Sequence, residues 1–147
     1  MALFIDLDGV LADFDTHYYN LFGIWPLKDA DDNLWRNVHK TDRFFFNLPP
    51  TEDMEDLWDY VEKHNPTILT GVPASKNDKF ILDKMEWVKK HIGAHVEVIC
   101  CRSKEKSLYM KPGDIIVDDW EKYKHLWVEK GGVWITHYTA ESSIIEL

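Results

Sequence analysis

Leu3-Phe4-Ile5-Asp6-Leu7-Asp8-Gly9-Val10-Leu11 carries an apolar run with the character of a buried strand directly into two carboxylates and a glycine. Acids are among the side chains least often buried without a partner. Two of them at the carboxyl end of a core strand therefore call for a cation, a phosphoryl chemistry, or both. In open α/β sheets the carboxyl edge is also where ligands bind. An isolated Asp-x-Asp-Gly could equally begin a turn, so the reading depends on what accompanies it.

The decisive companion lies more than a hundred residues on, where Ile115-Ile116-Val117 runs into Asp118-Asp119. If both strands belong to one parallel sheet, Asp6, Asp8, Asp118 and Asp119 converge at one edge. Four carboxylates gathered without a cation would repel one another and raise their own pKa values. A hard divalent ion with oxygen ligands resolves the conflict, and Mg2+ suits a shell shared among carboxylates, water and phosphate. Thr70, after Ile68-Leu69, places a hydroxyl at the end of a third candidate strand. The charged segment before Ile115 offers Lys104, Lys106 and Lys111 as cations for that edge.

Between these points strand and helix signals alternate. A helix is expected from Asp15 to about Phe22, broken by Gly23 and Pro26. Polar and aromatic residues from Lys28 to Asn47 read as short helices. Thr51 reads as the cap of an amphipathic helix through Met54, Leu57, Trp58 and Val61. Strands are expected at Thr67–Thr70, Val96–Cys100, Asp114–Val117 and Val133–Ile135. The intervening helices fall at Asp78–His91 and Glu121–Lys130, the latter closed by Gly131-Gly132. This is the pattern of an α/β, Rossmann-like, doubly wound parallel sheet with helices on both faces. The length, 147 residues, suits one such domain, with a small helical cap insert at about residues 16–50 after the first strand.

Composition narrows the class of function. The formal charge of −9 speaks against a broad basic surface for long nucleic acids, yet permits a small phosphorylated substrate met by a metal ion and local lysines. No apolar run approaches a membrane span, and the amino terminus lacks the marks of a secretory signal, so a soluble, cytoplasmic protein is expected. Cys100 and Cys101 are adjacent in an apolar run and poorly placed to bridge each other, which suits reduced core residues. The seven histidines show no metal-ligand spacing. Trp120, Trp127 and Trp134 recur every seven residues across a helix and a strand, which suits core packing rather than a heptad seam.

Taken with Thr70, the lysines and Asp118-Asp119, the Phe4–Leu11 motif resembles the first signature of the haloacid dehalogenase superfamily of phosphotransferases. The spacing Lys106-x-x-Tyr109-x-x-Pro112-Gly113-Asp114 before the second acidic strand is similar to that of its nucleotidase-like branch, and it favours Lys106, with Lys104 as the rival. The resemblance implies that Asp6 is the nucleophile forming an aspartyl-phosphate. It implies that Asp8 is the acid/base, and that Thr70 and Lys106 hold phosphate. Mg2+ would be held by Asp6, the Asp8 main-chain carbonyl and Asp119, with Asp118 behind, orienting water or Lys106. An acid at Asp8 serves phosphoryl transfer rather than dehalogenation.

Asp6 through Phe14, Phe46-Asn47-Leu48-Pro49-Pro50 and Pro112-Gly113-Asp114 together resemble the 5'(3')-deoxyribonucleotidase family. That implies a nucleoside monophosphate as substrate. The insert is dense in rings, with Tyr18, Tyr19, Phe22, Trp25, Trp35, Phe44, Phe45 and Phe46; part of this set must form its own core, and one or two could stack on a base. Rival expectations are a phosphatase of sugar phosphates or of nucleic-acid 3' ends, and a non-catalytic nucleotide-binding member of the fold.

Overall fold

The computed structural model describes residues 1–73 and 78–147. Its strands are β1 (Leu3–Ile5), β2 (Thr67–Gly71), β3 (Val98–Cys101), β4 (Ile115–Asp118) and β5 (Val133–Thr136). The helices are α1 (Phe14–Phe22), α2 (Asp31–Lys40), α3 (Met54–Val61), α4 (Asp78–His91), α5 (Lys124–Glu129) and α6 (Ala140–Glu146). The strands form one sheet in the order β3-β2-β1-β4-β5, and every neighbouring pair is parallel. β1 is central, paired through Ile5 with Ile68 on one side and Val117 on the other.

Alternation along the strands divides the core into two layers. Ile5, Ile68, Val117 and Ile135 face a layer completed by Leu57, Phe80, Trp87, Val88 and Ala140, from α3, α4 and α6. Phe4, Leu69 and Ile116 face the other, completed by Met110 and Trp127. The Trp127 indole N–H donates to the Asp114 carbonyl at 3.2 Å, and its ring meets Phe4 edge-on at 5.6 Å. The expected doubly wound architecture is therefore present. Among the described residues no helix is long and apolar enough to cross a membrane.

The insert leaves and re-enters the sheet at one point. Asp13 N–H donates to the Pro49 carbonyl and Thr51 N–H to the Leu11 carbonyl, both at 2.8 Å, across a bridge between Ala12 and Pro50. Between these closing bonds stand α1, a short 3-10 turn at Pro26–Lys28, α2 and the turn that carries Phe44-Phe45-Phe46. Gly23, with φ 73°, ends α1 in the left-handed conformation. Tyr18 is fully buried; its hydroxyl donates to Asp29 at 2.5 Å and accepts from the Asn37 amide at 2.9 Å, tying α1 to α2.

Several boundaries differ from the sequence expectations. Thr51 does not cap α3: its hydroxyl donates to the Val10 carbonyl at 3.1 Å, and Asp53 occupies the N-cap position. The Asp53 carboxylate accepts instead from Ala140 N–H at 2.6 Å, joining α3 to the start of α6. β3 starts at Val98, two residues later than expected, because residues 94–96 are spent in the turn after α4. The charged segment before β4 is a 3-10 helix over Ser103–Tyr109. A final helix, α6, carries a Thr139/Ser142 capping box. Of the three tryptophans spaced by seven, Trp127 is buried and Trp134 packs half-buried against it, whereas Trp120 is 52% exposed and is not core. Cys100 and Cys101 are free thiols, the second of them buried; burial pushes the Cys101 thiol up to about 11.

Candidate active site

The carboxyl ends of β1 and β4 lie side by side, fixed by Asp6 N–H donating to the Val117 carbonyl at 2.9 Å. Asp6 and Asp118 are both buried. Beyond Asp6 the chain turns back at once: Val10, Leu11 and Ala12 N–H groups all donate to the Leu7 carbonyl at 2.9–3.2 Å. That turn holds Asp8 beside Asp6 and requires Gly9, whose φ is 83°. A β-carbon at Gly9 would overlap the Asp119 carboxylate. The glycine of the motif is thus required twice, by backbone conformation and by the acid from the other strand.

Oxygens of Asp6, Asp118 and Asp119 lie within 4.8 Å of one another. Asp119 stands at the exposed rim, but its carboxyl group is packed against Gly9. Burial of that group pushes it up to about 8, helped by repulsion from Asp6 and Asp118 and by a hydrogen bond with Asp6. Burial and then Asp118 push Asp6 up to about 6, against the pull of Lys106. Asp119 therefore favours its protonated form at neutrality, and Asp6 gives up its proton later than an ordinary aspartate, unless another positive charge takes the protons' place. Close oxygen donors with conflicting charge are the donor set a hard dication suits, so the residues present fit magnesium.

Two buried lysines approach from opposite layers of the sheet. Lys106, from the 3-10 helix before β4, donates to Asp6 at 3.0 Å and to Asp118 at 2.8 Å. These acids hold its ammonium charged well above the usual lysine range, against the cost of burial. Asp118 also accepts from Trp120 N–H at 3.0 Å, so both its oxygens are engaged. Lys104 and Lys111 stay exposed, and among the three candidate lysines only Lys106 reaches the acids.

Lys84 was not among the sequence candidates. It is almost fully buried, at 1% exposure. From α4 its ammonium donates to Asp8 Oδ2 at 2.7 Å, to the Thr70 hydroxyl at 2.9 Å and to the Gly71 carbonyl at 2.9 Å. It thereby ties Thr70, at the end of β2, to the second acid of β1. Burial raises the Asp8 pKa, and Lys84 opposes that rise. Asp8 Oδ1 is buried and has no hydrogen-bond partner among the described residues. The signal for Lys84 lay in the α4 pattern: Phe80, Lys84, Trp87 and Val88 share one helical face, and a lysine on a face of buried residues needs an acid to meet.

All six residues singled out from the sequence, Asp6, Asp8, Thr70, Lys106, Asp118 and Asp119, thus stand at one edge. The Pro112-Gly113-Asp114 approach serves structure instead: Asp114 accepts from Ala2 N–H at 2.7 Å and Lys111 N–H at 2.8 Å. In the insert, Tyr18, Phe44 and Phe45 are core. Tyr19 and Trp25 stack on each other at 4.3 Å with exposed edges, and Trp35 is partly exposed.

No protein-family model matches the chain. A protein of Acanthamoeba polyphaga mimivirus, provisionally named a 5'(3')-deoxyribonucleotidase, is 24% identical over an alignment of 143 positions. The alignment takes in 81% of this chain and 63% of that protein, so the chain spans less than two thirds of its relative's length. Among solved structures, a hydrolase from Streptococcus pneumoniae TIGR4 superposes with a TM-score of 0.56 at 14% identity, covering 99% of this chain and 98% of that one. A HAD-superfamily hydrolase from Ehrlichia chaffeensis gives 0.57 at 15% identity, covering 94% and 87%. L-2-haloacid dehalogenase from Xanthobacter autotrophicus gives 0.56 at 10% identity, covering 92% and 76%. The likeness covers 92–99% of this chain, and the chain has the fold of the haloacid dehalogenase-type hydrolases.

Proposed function

We propose that this protein is a magnesium-dependent phosphomonoesterase that works through an aspartyl-phosphate on Asp6, and that its substrate is a nucleoside monophosphate. The observation that carries the reading is the division between the two β1 acids. Lys106 holds Asp6 to Asp118, with Asp119 grouped beside them, whereas Lys84 holds Asp8 against Thr70 and leaves one Asp8 oxygen without a partner among the described residues. A binding module has no need of both an acid placed to attack and a second, separately held acid placed to move a proton.

An Asp6 oxygen attacks phosphorus, the bond from phosphorus to the ester oxygen breaks, and Asp8 gives its proton to the departing alkoxide. Asp8, now a carboxylate, takes a proton from water; the hydroxide attacks the phosphoryl group and the Asp6–phosphorus bond breaks. The balance is one ester and one water giving one alcohol and one phosphate, with both acids returned. The raised Asp8 pKa suits an acid that must begin protonated. Thr70 and the two ammonium groups hold the phosphoryl oxygens. Asp6, Asp119 and the Asp8 main-chain carbonyl would hold magnesium, with Asp118 behind them. When bound, magnesium supplies positive charge that lets an anionic carboxylate approach an anionic phosphate and steadies the charge of the in-line transition state.

The nucleotide assignment is supported by the mimivirus relative's name and by an insert whose rings could stack on a base. The test is phosphate release from an aryl phosphate and from the common ribo- and deoxyribonucleoside monophosphates, with magnesium and with chelator. Asp6→Asn is expected to abolish release in every case while circular dichroism stays unchanged. Turnover by purified Asp6→Asn would sink the nucleophile. Hydrolysis of the aryl phosphate with none of the nucleotides would sink the nucleotide reading alone.

A further inference from the structure

The helix that delivers Lys84 is held by the insert, and among the described residues one insert side chain makes both of the ion pairs in that grip. Arg43 sits in the turn after α2 with φ 53°, a left-handed conformation that an arginine rarely adopts. From there its guanidinium pairs through Nε with Asp83 at 2.9 Å and through Nη2 with Glu86. Its plane also lies over the Phe46 ring, 4.0 Å from the centroid. Asp83 is the residue immediately before Lys84 and is buried.

The same turn touches Lys84 from its other side, because the Phe45 ring lies 4.6 Å from the ammonium group. Phe45 in turn packs edge-on against Phe80, one helical turn before Lys84, at 4.9 Å. One turn of the insert, residues 43–46, therefore fixes both the helix backbone around Lys84 and the far end of its side chain.

The Arg43 guanidinium itself is not part of the buried core. Trp87 already ties α4 to the insert base, its N–H donating to the Leu48 carbonyl at 2.7 Å, and Phe80, Trp87 and Val88 are buried. A charged fork in a disfavoured backbone conformation, held at two successive acids of the helix, adds direction rather than bulk. A guanidinium can do this and an ammonium cannot, since only the planar fork presents several donors in fixed geometry. We propose that Arg43 is a positioning residue for Lys84: by gripping Asp83 and Glu86 it sets the rotation of α4 that brings the ammonium to Asp8 and Thr70. The position of the insert and the placement of the phosphate-side cation are then one variable. This inference rests on the reading of Lys84 as a phosphate ligand for its catalytic consequence, but not for its geometric claim.

Arg43→Gly removes the fork at a backbone conformation glycine adopts freely, so the substitution relieves strain rather than adding it. Two measurements decide the matter. In the first, trace acetic anhydride labels lysine amines and mass spectrometry reads each site. Arg43→Gly is expected to speed labelling of Lys84 about fivefold or more, with Lys106 unchanged, since local opening should be confined to the loosened element. Unchanged Lys84 labelling overturns the proposal, whatever the enzyme does.

The second is a double-mutant cycle in kcat/KM for the aryl phosphate. Arg43→Gly should cost about 10- to 100-fold in the native background, the scale of small misplacements in a reacting centre. It should cost less than about twofold where Lys84 is already Met. Equal losses in both backgrounds overturn the proposal, because Arg43 would then act by some other route. Arg43→Lys is expected to restore little of the loss, and full recovery by it also overturns the claim. Absence of magnesium-dependent turnover in the unsubstituted protein defeats the phosphatase reading, and the labelling experiment still rules on Arg43.

Discussion

At the scale of single residues, Gly9 joins two arguments that the sequence kept apart. Asp-Gly is a turn signal and Asp119 a candidate ligand, but only the fold shows that the acid from β4 fills the space a side chain at Gly9 would need. Gly9→Ala must therefore adopt a left-handed conformation, costing about 1–2 kcal/mol, and must also displace Asp119. Urea unfolding should report the first effect and a magnesium titration of activity the second, with the concentration for half-maximal rate raised. A tolerant Gly9→Ala would mean that Asp119 is not held there. The acids also make stability depend on pH. Asp119 lies near 8 when folded against 3.8 ordinarily, and Asp6 near 6. Across that interval the folded chain binds more protons than the unfolded one, so stability falls as pH rises from about 4 to about 8. Melting temperatures in chelator should decline over this window, and the increase that magnesium produces should grow over the same window, since protons and metal compete. A flat magnesium effect from pH 5 to 8 would contradict the cluster's charge balance.

At the scale of elements, termini and junctions account for most departures from the sequence reading. The periodicity of Met54, Leu57, Trp58 and Val61 marked α3 well, but the role of Thr51 depended on where its hydroxyl could find an acceptor. The carbonyl of Val10 lies in a segment forty-one residues earlier, beyond the reach of local pattern. Asp53 likewise spends its carboxylate on α6. That final helix is short, and its capping box of Thr139 and Ser142 secures its amino terminus. Thr139→Ala should cost about 1 kcal/mol, read as a lowered urea midpoint. It should leave turnover within about twofold, since the box touches none of the acids. Lys84 belongs here too: α4 was legible as a helix from its ends and its apolar stripe, whereas the lysine within that stripe gains meaning only when Asp8 and Thr70 are placed opposite it.

At the scale of the whole molecule, alternation of strand and helix was enough to read the parallel sheet, and its consequence, acids from β1 and β4 at one edge, followed from topology without any coordinates. Strand order was less accessible, because nothing in the local residues of β1 says that it lies between β2 and β4. The edge-to-centre order β3-β2-β1-β4-β5 also bears on how the chain is made. β1 ends at Ile5, but its second neighbour, β4, begins only at Ile115. At translation rates of about 5–20 residues per second this separation amounts to roughly 6–22 s. Throughout that interval the nascent chain has one side of its central strand open and only Asp6 and Asp8 of its acidic group. The four acids therefore do not come together until β4 has been made.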